Sequence, residues 1–195
     1  MKGRLYEEIQ PLKENLSFDK SIIMRDDERN MIFSEIENKM NKKIKQLKIL
    51  YQATIDGGDH EKFHLKCDNF ANTLVLVISK GNRRFRGFTP IPWKSEEKGT
   101  YKKDPEMKTF VFSLDNKKID HLKFSDHAVY HSKNYGPCFG SGHDIGIIGN
   151  PFKANNIYTY QNSFDYNGGI NSLSECVYLK GGMALEYEVF NVLFF

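Results

Sequence analysis

Residues 73–79 read TLVLVIS, an almost unbroken apolar run. It is too short for a core helix and too apolar for a strand with one wet face. It therefore predicts a central strand covered on both sides. Gly81-Asn82 signals a turn, and RRFRGFTPI (83–91) supplies the hairpin partner. Strand texture returns in LKILYQATI (47–55), TFVFSL (109–114), HAVYH (127–131), DIGIIG (144–149), CVYLK (176–180) and ALEYEVFNVLFF (184–195). Short strands at this spacing, with few helices between them, predict an α+β, mainly β fold. Its form is a two-layer antiparallel β-sandwich with a few flanking helices. The 15 Phe and 10 Tyr agree, because flat rings pack well on a pleated surface.

The chain of 195 residues shows no repeat or linker and reads as one domain. Residues 1–25 form a lead-in segment, and residues 26–195 the domain proper. A helix is expected over about 26–46. Asp26, Asp27 and Glu28 sit where its positive dipole end would be, and Lys42, Lys43, Lys45 and Lys48 near its negative end. Ile32, Ile36, Met40, Ile44 and Leu47 recur as one apolar stripe, and the lysines read as a solvated helix face. A second, short helix is expected over DHEKFHLKC (59–67), with Asp59 as its N-cap.

The totals exclude several function classes. A net charge of +3 does not argue for nucleic acid. No apolar run approaches the roughly 20 residues of a membrane span, and MKGRLYEEIQ lacks the apolar core of a signal peptide. The protein is read as intracellular. Cys67, Cys138 and Cys176 have no CxxC spacing, so they are expected to be free thiols rather than disulfides or zinc ligands.

Three motifs invite chemistry. His60 to His64 fits HExxH, whose histidines grip zinc while the glutamate activates water. Here the helix is boxed between Gly57-Gly58 and Asn69, and no third ligand stands out. Cys67 has His64 one turn before it and Asp68 beside it, an arrangement that can favour thiolate. Residues 134–149, NYGPCFGSGHDIGIIG, concentrate glycine as a phosphate loop would, but no Lys-Ser or Lys-Thr and no helix follow. The "FGSGH" window around Ser141 also fails the G-x-S-x-G pattern of a nucleophile elbow. The stretch reads as a sharp bend. Gly136, Gly140 and Gly142 permit positive φ or close approach, Phe139 anchors the bend, and His143 and Asp144 hydrogen-bond the backbone groups it leaves unpaired. No constellation supplies nucleophile, base and orienter together, which leaves enzymatic activity open and points towards binding.

The order of segments resembles the TLDc domain family: ILYQATIDG (49–57), FHLKCDNFANTLVLV (63–77), RGFTPIPW (86–93), TFVFSL (109–114), YGPCFGSGHDI (135–145) and EYEVFNV (186–192). Upstream, SFDKSII (17–23) looks like a lead-in frequent in protist members. The resemblance covers about residues 17–195. It implies structural or binding roles for Phe63, His64, Asp68, Gly87, Phe88, Trp93, Gly136, Pro137, Phe139, Gly140, Gly142, His143, Asp144 and Glu188, and makes HExxH a coincidence. Arg86 stands where the family more often has Gly, and Cys138 where Thr is usual. For function the resemblance implies a protein partner, namely the vacuolar-type proton pump whose catalytic sector such domains help release, and a link to oxidative-stress resistance. It implies no cofactor or metal and a cytoplasmic location, at the periphery of organelle membranes or in a cytoskeletal complex. The alternatives are a thiol-dependent antioxidant enzyme using Cys67, His64 and Asp68, and a structural part of a larger, cytoskeletal assembly.

Overall fold

In a computed structural model of the chain, the described residues are 17–153, 156–159, 162–166 and 182–195. The TLVLVIS run is strand β3 (Thr73–Ser79), in the middle of a seven-stranded sheet. Its neighbours are β4 (Arg84–Thr89) and the long β12 (Ala184–Phe194). Beyond these the sheet continues through β6 (Phe110–Ser113) and β7 (Lys118–His121) on one side. On the other it continues through β2 (Ile44–Gln52) and β1 (Ser17–Phe18). All pairs are antiparallel except β1 with β2. A second, five-stranded antiparallel sheet runs in the order β11 (Ile157–Thr159), β10 (Ile145–Ile148), β9 (Tyr135–Phe139), β8 (Val129–His131), β5 (Thr100–Lys102). The fold is thus the expected mainly β sandwich.

β3 is covered on both faces, and its alternation distributes its side chains between two cores. Val75 and Val77 join Tyr51, Phe63, Trp93, Phe139, Ile145 and Val189 in the layer between the sheets. Leu74 and Leu76 join Phe88, Phe110, Phe112 and Phe190 on the opposite face, under Ile32 and Ile36 of helix α1 (Asp26–Met40). Each fully buried aliphatic or aromatic side chain contributes about 1.5–3 kcal/mol, so neither core can be left open to water.

α1 is shorter than the apolar stripe suggests. It ends at Met40, where Asn41 takes the left-handed conformation (φ 52°). The Glu37 carboxylate then accepts the Ile44 N–H (3.0 Å) and the Lys43 ammonium (2.6 Å), which fixes the turn into β2. Ile44 and Leu47 belong to that strand. They extend the stripe because helix and strand bury residues in the same core. The exposed lysines 42, 43, 45 and 48 therefore lie on a turn and a strand, not on a helix face. β2 gives way at Ala53 to the single turn α2 (Ala53–Asp56), with the Asp56 carboxylate accepting the Gln52 N–H at 2.8 Å. Helix α3 (His60–Cys67) begins as expected, the Asp59 side chain accepting the Lys62 N–H at 2.9 Å.

The HAVYH segment opens as a short 3-10 turn (Ser125–His127) before β8. Strands β1, β5, β7 and β11 are short edge or near-edge pieces of mixed polarity, too brief to show a period. The expected strand at 176–180 lies outside the described residues.

Gly87 leaves no room for a side chain between its neighbouring strand and the second sheet. A Cβ there would lie 2.7 Å from the Phe110 carbonyl oxygen and 2.9 Å from the Phe139 ring. Gly81, in the β3–β4 turn, has nothing closer than 3.8 Å. Gly87→Ala is expected to destabilise the domain by about 2–3 kcal/mol, as overpacked cores do, and Gly81→Ala by less than about 1. Urea unfolding of the two variants measures the difference.

Candidate functional site

The α3 motif forms a clasp. Phe63 and Cys67 are fully buried, so α3 turns that face to the core between the sheets. This places His64 at the rim, with Nδ1 2.7 Å from Asp68 Oδ1 and Nε2 2.9 Å from the carbonyl oxygens of both Ser132 and Tyr135. Asp68 Oδ2 accepts the Ser95 N–H at 2.8 Å, and Asn69 N–H donates to the Trp93 carbonyl at 2.9 Å. Helix α3, the segment after β4 and the β8–β9 connection are thereby tied together.

Trp93 lies beneath this clasp. Its indole N–H donates to Thr73 Oγ1 at 2.8 Å, and its ring stands 5.7 Å from both Phe63 and Phe139. His131, 5.9 Å from Trp93, is buried with neither nitrogen hydrogen-bonded. Burial above all, with Lys102 next, pushes its pKa down to about 4.

Of the HExxH residues, His60 is half-buried, Glu61 is exposed, and His64 has both nitrogens turned to protein oxygens. Cys67 is fully buried, and burial followed by the adjacent Asp68 pushes its thiol well above the ordinary range. A thiol so placed lacks both exposure and thiolate character. Cys138 is likewise buried and pushed up to about 12. Both are free thiols, as expected, while Cys176 lies outside the described residues. Among the described residues no group of three His, Cys, Asp or Glu side chains has metal-holding geometry.

The glycine-rich stretch is a hairpin, β9 turning into β10. Gly140 and Gly142 take positive φ (77° and 67°), and a Cβ on Gly140 would overlap the Asp144 carboxylate. A Cβ on Gly136 would lie 3.3 Å from Ile147, and Phe139 is buried in the core between the sheets. The amides a phosphate would need are already donated: Gly140 N–H to Ala128 O, Ser141 N–H to Ser163 Oγ, and Gly142 N–H to Tyr101 Oη. Asp144 accepts the N–H of Asn162 (2.6 Å) and Ser163 (3.0 Å) and the Tyr166 hydroxyl (3.0 Å). Burial nevertheless raises its pKa to about 6. Asp144 thus does the expected work of pairing backbone donors. His143 does not: itself at φ 63°, it wedges its ring between Tyr130 and Tyr135, and its buried Nδ1 is unpaired.

β12 brings two buried carboxylates, Glu186 and Glu188. Glu188 accepts the Ser21 hydroxyl (2.5 Å) and the Ile22 N–H (2.9 Å), tying residues 21–24 to the sheet. Glu186 accepts the Thr54 hydroxyl, the Thr54 N–H (3.0 Å) and the Tyr187 N–H (2.9 Å). Glu186 escaped the sequence reading, although two glutamates inside an apolar strand are themselves a sign of paired buried charge.

Phe88 packs against Phe110 (5.6 Å). Between Phe85 and Gly87, Arg86 is buried without a carboxylate partner. It donates from Nη2 to the Pro137 carbonyl and lies over the Phe139 ring, while Nε and Nη1 make no hydrogen bond. Burial lowers its pKa to about 10, partly opposed by Cys138 and Tyr187. Arg86 thus bonds the carbonyl of the residue that precedes Cys138.

These features define a class: a β-sandwich domain whose polar motif residues fasten its own layers. The TLDc domain model matches residues 17–189, and the chain belongs to the TLDc domain family. No curated protein matches the chain.

Two expected outcomes concern Arg86 and His131. Arg86→Met removes an unpaired buried charge while keeping its volume, and is expected to leave stability unchanged or raise it by up to about 4 kcal/mol in thermal unfolding. For His131, the unfolded chain takes up a proton near pH 6.5, whereas the folded chain resists it to about 4. The stability of the neutral ring is thus fully present above pH 6.5 and lost as pH falls towards 4, by up to about 3 kcal/mol. Asp144, with its raised pKa, acts in the opposite sense over the acidic range, so the measurement must be a difference. Between pH 7 and 4, His131→Phe should gain on the wild type in urea unfolding by up to that amount.

Proposed function

We propose that this TLDc domain is a non-enzymatic interaction module that binds the vacuolar-type proton pump and promotes release of its catalytic sector. In the family this role goes with resistance to oxidative stress. The carrying observation is how the motif's reactive side chains are used. His64, Asp68, Asp144 and Glu188 are spent on internal hydrogen bonds, and Cys67 is buried. The most exposed of the large apolar side chains stand on turns, loops and short helices: Ile22 69%, Ile55 74%, Leu65 78% and Phe124 62% exposed. A surface of that kind suits protein contact better than catalysis.

Such a module acts by holding one state of its partner more tightly than the other. Moving a pump from almost wholly assembled to almost wholly released takes a difference of about 5.5 kcal/mol. The work would take place at the cytoplasmic side of organelle membranes; among the described residues no helix is long and apolar enough to cross one. The thiol-enzyme alternative draws no support from a Cys67 with 0% exposure.

The test is affinity capture from the source organism with the full chain as bait, at low and moderate salt. Pump subunits should be recovered, and added domain should raise the fraction of free catalytic sector. Recovery of no pump subunit at either salt overturns the reading.

A further inference from the structure

One end of the seven-stranded sheet carries a cleft of about 410 Å³, lined by residues 20–26 with Arg29, Ile78 and Arg84. Two of its cations are already matched. Arg84 donates to Glu28 (2.7 and 2.8 Å) and pairs with Asp115 (2.8 Å), and Arg29 pairs with Asp26. Lys20 and Arg25 are exposed, and neither has an acidic side-chain partner among the described residues.

Between these two cations Ile22 is displayed at 69% exposure on a loop held firmly from beneath. Glu188 takes the Ser21 hydroxyl and the Ile22 N–H; Ser21 Oγ in turn accepts the N–H groups of Ile23 (3.0 Å) and Met24 (2.8 Å), whose side chains are buried. Two positions along β12, Glu186 holds Thr54, so the exposed Ile55 (74%) and Leu185 (46%) stand at the same end of that strand. The surface therefore combines two cations without an acidic side-chain partner among the described residues, the exposed Ile22 and a concavity on a backbone already ordered, which lowers the entropic cost of binding.

We infer that this cleft docks an acidic segment of a protein partner, in which at least two carboxylates flank an aliphatic or aromatic side chain. The carboxylates bind Lys20 and Arg25, and the apolar side chain packs on Ile22. Exposed ion pairs contribute little alone, so the apolar anchor is part of the recognition. A nucleic acid or an anionic membrane fits less well, because among the described residues lining the cleft two cations lack an acidic partner, and the acidic first turn of α1, Asp26 to Glu28, borders them. The inference deepens the interaction-domain reading and rests on it.

The test uses the full chain and three short fluorescein-labelled peptides: one in which Glu and Asp flank Leu and Phe, its counterpart with Lys for each acid, and its counterpart with Ser for Leu and Phe. Fluorescence anisotropy should show binding of the first alone, weakening with salt. Lys20→Glu with Arg25→Glu should weaken it by about tenfold or more and flatten the salt dependence. Ile22→Ser should weaken it while leaving the salt dependence unchanged. Unaltered melting temperatures establish that these surface variants are folded. Failure of the first peptide to bind, equal binding by the charge-reversed variant, or preferential binding to phosphatidylserine vesicles each overturns the inference. Pump capture separates it from the reading above. If the charge-reversed variant captures pump subunits as well as the wild type, the cleft assignment falls and the module stands. If the acidic peptide binds at the cleft but no pump subunit is captured, the cleft stands and the pump falls.

Discussion

The double coverage of β3 is the constraint on which the rest of the molecule depends. A strand with Leu74 and Leu76 on one face and Val75 and Val77 on the other cannot lie at a sheet surface. One face takes the five-stranded sheet and the other takes α1, so helix and second sheet are held by the same strand from opposite sides. Burial of rings such as Trp93, Phe110 and Phe139 supplies the driving force, at roughly 25 cal/mol for each Å² of apolar surface removed from water.

A core of that kind is intolerant of unpaired polar groups, and this accounts for the form of the motifs. His64 with Asp68, Asp144 with the 162–163 amides, and Glu188 with Ser21 each satisfy buried or rim backbone groups where chain segments meet. Residue types that elsewhere build active sites here hold layers together. Besides His143, whose buried Nδ1 is unpaired, Arg86 and His131 are exceptions: Arg86 has one hydrogen bond for its buried guanidinium and His131 none. Both carry pKa values lowered by burial.

Much of this was legible in the chain, for reasons particular to each segment. TLVLVIS reveals its two-sided burial because five consecutive apolar residues, Leu74 to Ile78, leave no wet face. The Asp59 cap and the start of α1 are short-range signals. The end of α1 was hidden because Ile36 and Ile44 line one core, so the apolar rhythm passes from helix to strand without a break. β5, β7 and β11 were illegible because three or four residues carry no measurable period. The bend at Gly140 to Asp144 was readable from its glycines, but the strand before it was not, since Gly136-Pro137 reads as turn chemistry.

By itself the sequence determined the class of fold and the place of most strands, because period, length and turn residues are properties of neighbouring positions. Which polar side chains meet was decided only by the tertiary structure. Ser21 and Glu188 are 167 positions apart, and Glu186 and Thr54 are 132 apart. Hydrogen bonds have a reach of about 3 Å, so such pairs exist only once strand order has brought distant segments side by side.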